Sequence, residues 1–112
     1  MLRTKGEYLT FSDGWGTSYA VQDRKIGAAK QDVIHFREAT VGERRFWDAY
    51  ISGTELEMAI LVPYESAVDR GDLFVIAGDQ YEVVQKDRKD TKPVSWLLSL
   101  KKAVVRYAGN HS

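Results

Sequence analysis

The stretch that decides the fold is Gly71-Asp72-Leu73-Phe74-Val75-Ile76-Ala77-Gly78-Asp79-Gln80-Tyr81-Glu82-Val83-Val84-Gln85, continued after a charged segment by Val94-Ser95-Trp96-Leu97-Leu98-Ser99-Leu100-Lys101. Two β-rich apolar runs flank Gly78-Asp79, which reads as a two-residue hairpin turn with Gly supplying a positive φ. In the last run Trp96, Leu98 and Leu100 share one face, while Ser99 and Lys101 share the other. The reading is an antiparallel meander of three strands with one buried face.

Working outward, Leu56-Glu57-Met58-Ala59-Ile60-Leu61-Val62 is a further strand with Leu56, Met58, Ile60 and Val62 inward, and Pro63-Tyr64 ends it. Asp32 to Arg37 reads as a strand, with His35 a structural residue between apolar neighbours. Tyr8 to Phe11 and Thr17 to Gln22 are shorter strand candidates on either side of Gly14-Trp15-Gly16, which reads as a turn. Asp23 to Asp32 has neither a clear period nor a core-sized apolar set, and it reads as a long mobile loop. Thr40-Val41-Gly42-Glu43 has the capping-box pattern, with Phe46, Ala49 and Tyr50 following at helical spacing and Gly53 as a stop. The expected architecture is therefore mainly β: a small antiparallel barrel of about six strands, with one short α-helix and one long loop.

Composition bounds what such a barrel does. At 112 residues the chain forms one domain, 1–112, whose last residues, 108–112, are expected to fray. Sixteen basic and sixteen acidic residues cancel, which argues against nucleic acid as the principal ligand, since phosphate neutralisation calls for a basic excess. Cysteine is absent, so neither a disulfide nor a thiolate metal site is available. No run reaches the length of a membrane span, and the start lacks the apolar core of a signal peptide, so cytoplasmic synthesis is expected.

No catalytic set emerges. His35 and His111 are far apart, the carboxylates are scattered, and Gly14-Trp15-Gly16 lacks the rest of a dinucleotide fingerprint. The expectation is a non-enzyme without cofactor or metal. Two groups of residues are candidate contacts instead. Lys86, Arg88, Lys89 and Lys92 lie in a charged loop that either touches phosphates or is simply solvated. Arg44, Arg45, Phe46, Trp47 and Tyr50 lie on the short helix. Its apolar residues point to more than one side, so Trp47 or Tyr50 is either a contact for another chain or part of the core.

Three stretches resemble the phage head–tail joining (head closure, or stopper) proteins: Ile60-Leu61-Val62-Pro63-Tyr64, Val68 to Val75 with its Asp-Arg-Gly-Asp step, and Gly78-Asp79-Gln80-Tyr81-Glu82-Val83-Val84. In that family an apolar strand ends near a tyrosine. An Asp-x-Gly-Asp step and a Gly-x-x-Tyr-x-Ile/Val hairpin follow, and a leucine-rich strand closes the pattern, here Trp96 to Leu100. The resemblance spans roughly Glu38 to Lys101. It implies a virion component made in the bacterial host cytoplasm, monomeric alone and assembled at the head–tail interface as a homo-oligomeric ring (hexamer or dodecamer). Its partners would be the portal or adaptor (connector) protein, a tail or tail-completion protein, and packaged DNA as a non-specific channel contact, with no membrane. The resemblance also implies that the segment between the second and third barrel strands, about Arg37 to Gly53, points into the channel. The alternatives from other classes are a free-standing SH3-like or OB-like binding module and a tail-completion protein of similar fold.

Overall fold

Each apolar run of the last third forms a strand, and their pairing fixes the rest. The computed structural model describes residues 9–39 and 56–103. Six strands occur there: β1 (Gly14–Gln22), β2 (Lys25–Glu38), β3 (Met58–Pro63), β4 (Leu73–Ile76), β5 (Asp79–Lys89) and β6 (Ser95–Lys102). Every neighbouring pair is antiparallel, and the order β1-β2-β3-β6-β5-β4 closes into a barrel as β4 returns to β1. The expected six-strand barrel is what the chain forms. The helix expected from Thr40 to Gly53 lies outside the described residues.

The two hairpin turns share one chemistry. Ile76 pairs with Asp79, so the central residues are Ala77 (φ 50°) and Gly78 (φ 87°), not Gly78-Asp79. Likewise Gln22 pairs with Lys25 across Asp23 (φ 52°) and Arg24 (φ 64°). Positive φ at both central positions matches the right-handed twist of the flanking strands. The Asp23-Arg24 turn explains why the segment expected to be a loop, residues 23–32, is instead the first half of β2. Lys25, Ala28, Ala29 and Lys30 are exposed, so this half of the strand, though laddered to β1, carries no apolar alternation to read.

Gly14-Trp15-Gly16, expected as a turn, is the start of β1. Its glycines leave room for core rings. A Cβ on Gly14 would stand 2.8 Å from Phe36 Cζ, and one on Gly16 would stand 2.7 Å from Phe74 Cε2 and 2.8 Å from the Val75 carbonyl oxygen. Phe36 and Phe74 meet edge to face, 6.4 Å between centroids. Around them Ile34, Ile60, Val62, Val68, Val83, Leu98 and Leu100 fill the barrel, with Met58 and Trp96 packed at its margin.

The meander has more than one buried face. On the outer side of β3 and β6, Ala59, Leu61 and Leu97 form a second apolar cluster under Leu9, Phe11, Ala39 and Leu56. Leu56, expected inside, therefore packs outside, because the strand starts at Met58 and the chain before it turns away. Residues 9–12 are not a strand. They lie against the barrel, with Leu9 N donating to the Lys92 carbonyl at 2.7 Å. His35, expected among core neighbours, is exposed and paired across strands with Trp15, since Ile34 and Phe36 take the inward positions.

Leu98→Ala is expected to cost about 2–5 kcal/mol, the range for emptying a large aliphatic site. Gly16→Ala should cost about 1–3 kcal/mol, because the added methyl meets backbone as well as a ring. A urea midpoint for Gly16→Ala equal to that of the parent would show that β1 does not approach β4 this closely. Ala77→Asn, which relieves an alanine at positive φ, should raise stability by about 0.5–1 kcal/mol in the same titration.

Candidate functional site

The arrangement begins with one extra residue. Val83 pairs with Leu100, but Gln85 pairs with Ser99, so Val84 is a bulge in β5. A bulge reverses the parity of everything that follows. Without it Lys86 and Arg88 would share the outward face with Glu82; with it they lie opposite Leu98 and Trp96, on the face that continues the barrel interior. The segment expected to be a charged loop is thus largely strand. Lys86, Arg88 and Lys89 belong to β5, and only Lys92 sits in the connection, beside a cis Lys92–Pro93 peptide.

At this end of the barrel, Tyr64 stacks on Trp96 with centroids 5.0 Å apart and planes within 11°. The Trp96 indole Nε1 donates to the Tyr64 carbonyl at 2.8 Å. Lys86 Nζ lies 4.3 Å from the Trp96 ring centroid, and the Arg88 guanidinium carbon is 5.9 Å from that of Tyr64. Tyr64 is 48% exposed. The result is an aromatic platform flanked by cations at the barrel mouth.

The cations differ in availability. Lys86 is committed: its Nζ contacts Asp69 Oδ1 at 2.9 Å. Arg88 pairs with Asp90 at 2.9 Å, but both side chains are more than half exposed, a kind of pair worth little and readily exchanged.

Beside the platform, residues 64–72 form a strap over the barrel end. Val68 inserts into the core. Ser18 Oγ donates to the Ala67 carbonyl and Ala67 N donates to Gln31 Oε1, which ties the strap to β1 and β2. Asp72 Oδ2 accepts from Asp69 N at 2.7 Å and from Lys30 Nζ at 2.6 Å, while Lys30 also reaches Asp69 Oδ2 at 3.0 Å. Two carboxylates of one turn thereby hold lysines from β2 and β5. The Lys86 hydrogen bond, then that of Lys30, keeps the Asp69 carboxyl below its ordinary value. The Asp72 hydrogen bond chiefly raises Lys30 above its own.

A second surface lies on the outer face of β1 and β2. Trp15 is 53% exposed opposite His35, with Val33 also exposed. Two shallow grooves flank the indole. One, of about 510 Å³, is lined by Phe11, Ser12, Gly14 and His35; the other, of about 390 Å³, by Gly14, Thr17 and residues 75–78.

Of the residues singled out from sequence, the structure brings Lys86 and Arg88 onto one face with an aromatic pair. It places Lys89 on the opposite face of β5, across from Ser95. Arg44, Arg45, Phe46, Trp47 and Tyr50 lie outside the described residues. Sequence reasoning missed the Tyr64–Trp96 stack and the exposed Trp15. Tyr64 directly after a strand-ending proline was the available signal for the first; an aromatic between two glycines was the signal for the second. Among the described residues no group of His, Asp and Glu is placed to hold a metal ion. No protein-family model, curated protein or solved structure gives a significant match to the chain.

Asp72→Asn is expected to loosen the strap, with a local cost of about 1.5–3 kcal/mol for a hydrogen bond to a charged group. Amide exchange should quicken in residues 64–72 and in the Lys30 region while β3 and β6 stay protected. Uniformly faster exchange would show that the strap is not a separate unit. The pH dependence has two sides. The Asp69 contribution is present above the ordinary carboxylate pKa, about 3.9, and is lost as pH falls through its depressed value. The Lys30 contribution is present below the ordinary lysine pKa, about 10.4, and is lost only as pH rises through its raised value. Strap protection should therefore be flat through neutrality and fall at both extremes.

Proposed function

We propose that this chain is a structural virion component of a tailed phage or prophage, a head closure subunit that sits in a ring under the portal or adaptor, retains packaged DNA and presents a tail-docking surface. The observation that carries the reading is how the resembling stretches are distributed. They fall on consecutive parts of one barrel: β3 with Tyr64, the strap, β4, β5 and β6. The Asp-Arg-Gly-Asp step is the strap turn itself, where Gly71 has φ 95° and Asp72 anchors Lys30. Residues that make the resemblance are thus residues with a definite structural task, and this supports the family reading over a chance likeness of common residue types.

The chain linking β2 to β3 holds Arg44, Arg45, Phe46, Trp47 and Tyr50. In the proposed ring these segments crowd the axis. The arginines meet DNA phosphates, and the aromatics pack against barrel or neighbour. The basic residues of the β5–β6 hairpin, Arg88 and Lys92 above all, are a second non-specific contact with DNA. A binding module of SH3-like or OB-like type is the second reading. The Tyr64–Trp96 platform beside Arg88 favours it, because an exposed ring next to an exchangeable cation suits a peptide or a nucleic-acid base.

Replacing residues 43–50 by a short Gly-Ser linker tests whether this segment acts as a gate that obstructs the channel and holds the DNA. The variant is expected to fold, shown by an unchanged β spectrum and cooperative melt, and particles built with it should leak DNA. Folded variant particles that retain DNA normally would overturn the gating role; loss of folding would make the segment a plug of the barrel. Particles assembled without the protein at all should be tailless and empty. Normal infectious particles in its absence would overturn the whole reading.

A further inference from the structure

Trp15 stands at one wall of a groove of about 390 Å³, whose other walls are Gly14, Thr17 and the β4–β5 turn region, residues 75–78. The rows of the sheet show which part of the chain starts beside it. Gly14 and Gly16 lie over core rings, so Trp15 and Thr17 alternate to the outer face. Phe74 and Tyr81 pack toward the core, which leaves Val75 and Gln80 on that same outer face. Thr17 pairs with Val75, Val75 pairs with Gln80, and Ala103 N donates to the Gln80 carbonyl at 3.0 Å. The described chain therefore ends on the row that leads across β5 and β4 to the groove. The other two undescribed stretches start elsewhere. Residues 1–8 join at Leu9, whose N–H donates to the Lys92 carbonyl beyond the opposite end of β5, and residues 40–55 join at Ala39 and Leu56, on the outer cluster of β3 and β6.

We infer that the C-terminal segment of this same chain crosses the outer side of the β4–β5 turn and seats Tyr107 in the groove against Trp15. Length selects the residue. Neighbouring strands are about 4.8 Å apart, so from the end of β6 it is about 10 Å to β4 and about 14 Å to β1. An extended chain advances about 3.4 Å per residue, so Val105 reaches about 7 Å from Ala103 and Tyr107 about 14 Å. Tyr107 is also the only Phe, Tyr or Trp among residues 104–112. Ring against ring covers an indole that is otherwise 53% exposed, in a pairing that aromatic geometry favours. The tether also decides whose tail it is. So short a link holds the segment at an effective concentration of about millimolar, far above the tails of other copies at micromolar protein. This contact is independent of the ring reading.

The absence of cysteine allows a clean test. One full-length chain carries Thr17→Cys with Ala108→Cys, and a control carries Glu82→Cys with Ala108→Cys. Glu82 pairs with Lys101, two residues before Ala103, so an undocked tail reaches it more easily than it reaches Thr17. Under mild oxidation at micromolar concentration, the Thr17 variant should close its disulfide several-fold faster than the control. The product should be a monomer, formed at a rate independent of protein concentration. Adding Tyr107→Ser should remove the preference for Thr17. Equal rates in the first comparison, or a preference that survives Tyr107→Ser, would overturn the contact. Disulfide-linked dimers in place of the monomer would put another copy's tail in the groove and overturn it equally. Tyr107→Ser alone keeps the test open if a cysteine variant fails to fold. In that chain amide exchange at residues 14–17 and 75–78 should quicken several-fold while β3 and β6 keep their protection, and unchanged exchange would count against the contact as decisively.

Discussion

The barrel closes through three residue pairs, Thr17–Val75, Ser18–Phe74 and Tyr19–Leu73, and the interior depends on this seam. β4 is only four residues long, so it has little ladder to spare. What allows β1 to reach it is the lack of side chains at Gly14 and Gly16, over which the rings of Phe36 and Phe74 lie. Glycine within a strand is ordinarily a loss of packing and of backbone entropy. Here the ring edges fill the vacated space, so that apolar burial offsets the backbone term. The same closeness makes the seam intolerant of even one added methyl, because on the far side of Gly16 stands a carbonyl oxygen, which has no rotamer to change.

Closure at the seam leaves the ends to be dealt with, and the chain uses the connection between β3 and β4 for one of them. The strap gains by inserting Val68 into the core and then fixes its own turn with the Asp72 carboxylate before reaching for Lys30 and Lys86. This order matters energetically. A carboxylate that already accepts a backbone N–H is preorganised, so adding a lysine costs only the ordering of that lysine's side chain. The strap therefore couples the β1–β2 arm to β5, two parts of the barrel that are not neighbours in the sheet. Lys86 reaches Asp69 because the Val84 bulge has turned it inward, so that one inserted residue both aligns the mouth cations and completes the strap.

Much of the barrel was legible in the sequence and some was not, for identifiable reasons. The runs at residues 58–62, 73–76, 81–85 and 95–101 are rich in Val, Ile, Leu and aromatics, and each proved to be strand because burial and β propensity pointed the same way. The first half of β2 gave no signal, since its exposed alanines and lysines show no apolar alternation. The faces of β5 could not be assigned from alternation, because a bulge shifts the parity and leaves no mark in residue type. Ser99 and Lys101 read as the face of β6 away from the core, yet that outer face, with Leu97 and Ser99 buried on it, is covered by Leu9, Phe11 and Leu56, contacts far apart in sequence. Half of the candidate site followed the same pattern: Lys86 and Arg88 were visible as charge, while their aromatic partners became visible only once Tyr64 and Trp96 were brought together across the end of β3.

The distribution of exposed aromatics bears on how strongly the chain should associate. Among the described residues, a half-exposed Trp and a half-exposed Tyr on separate faces are a modest apolar area. The overall charge is zero, so long-range repulsion neither prevents nor orients approach between copies. A contact of this kind is weak for a single pair of subunits. In the proposed ring each subunit would be held twice, and a template that fixes neighbours would raise their effective concentration enough for weak contacts to persist. Weakness is then a useful property, because a strong head-to-tail contact whose rotation did not close would build filaments in solution.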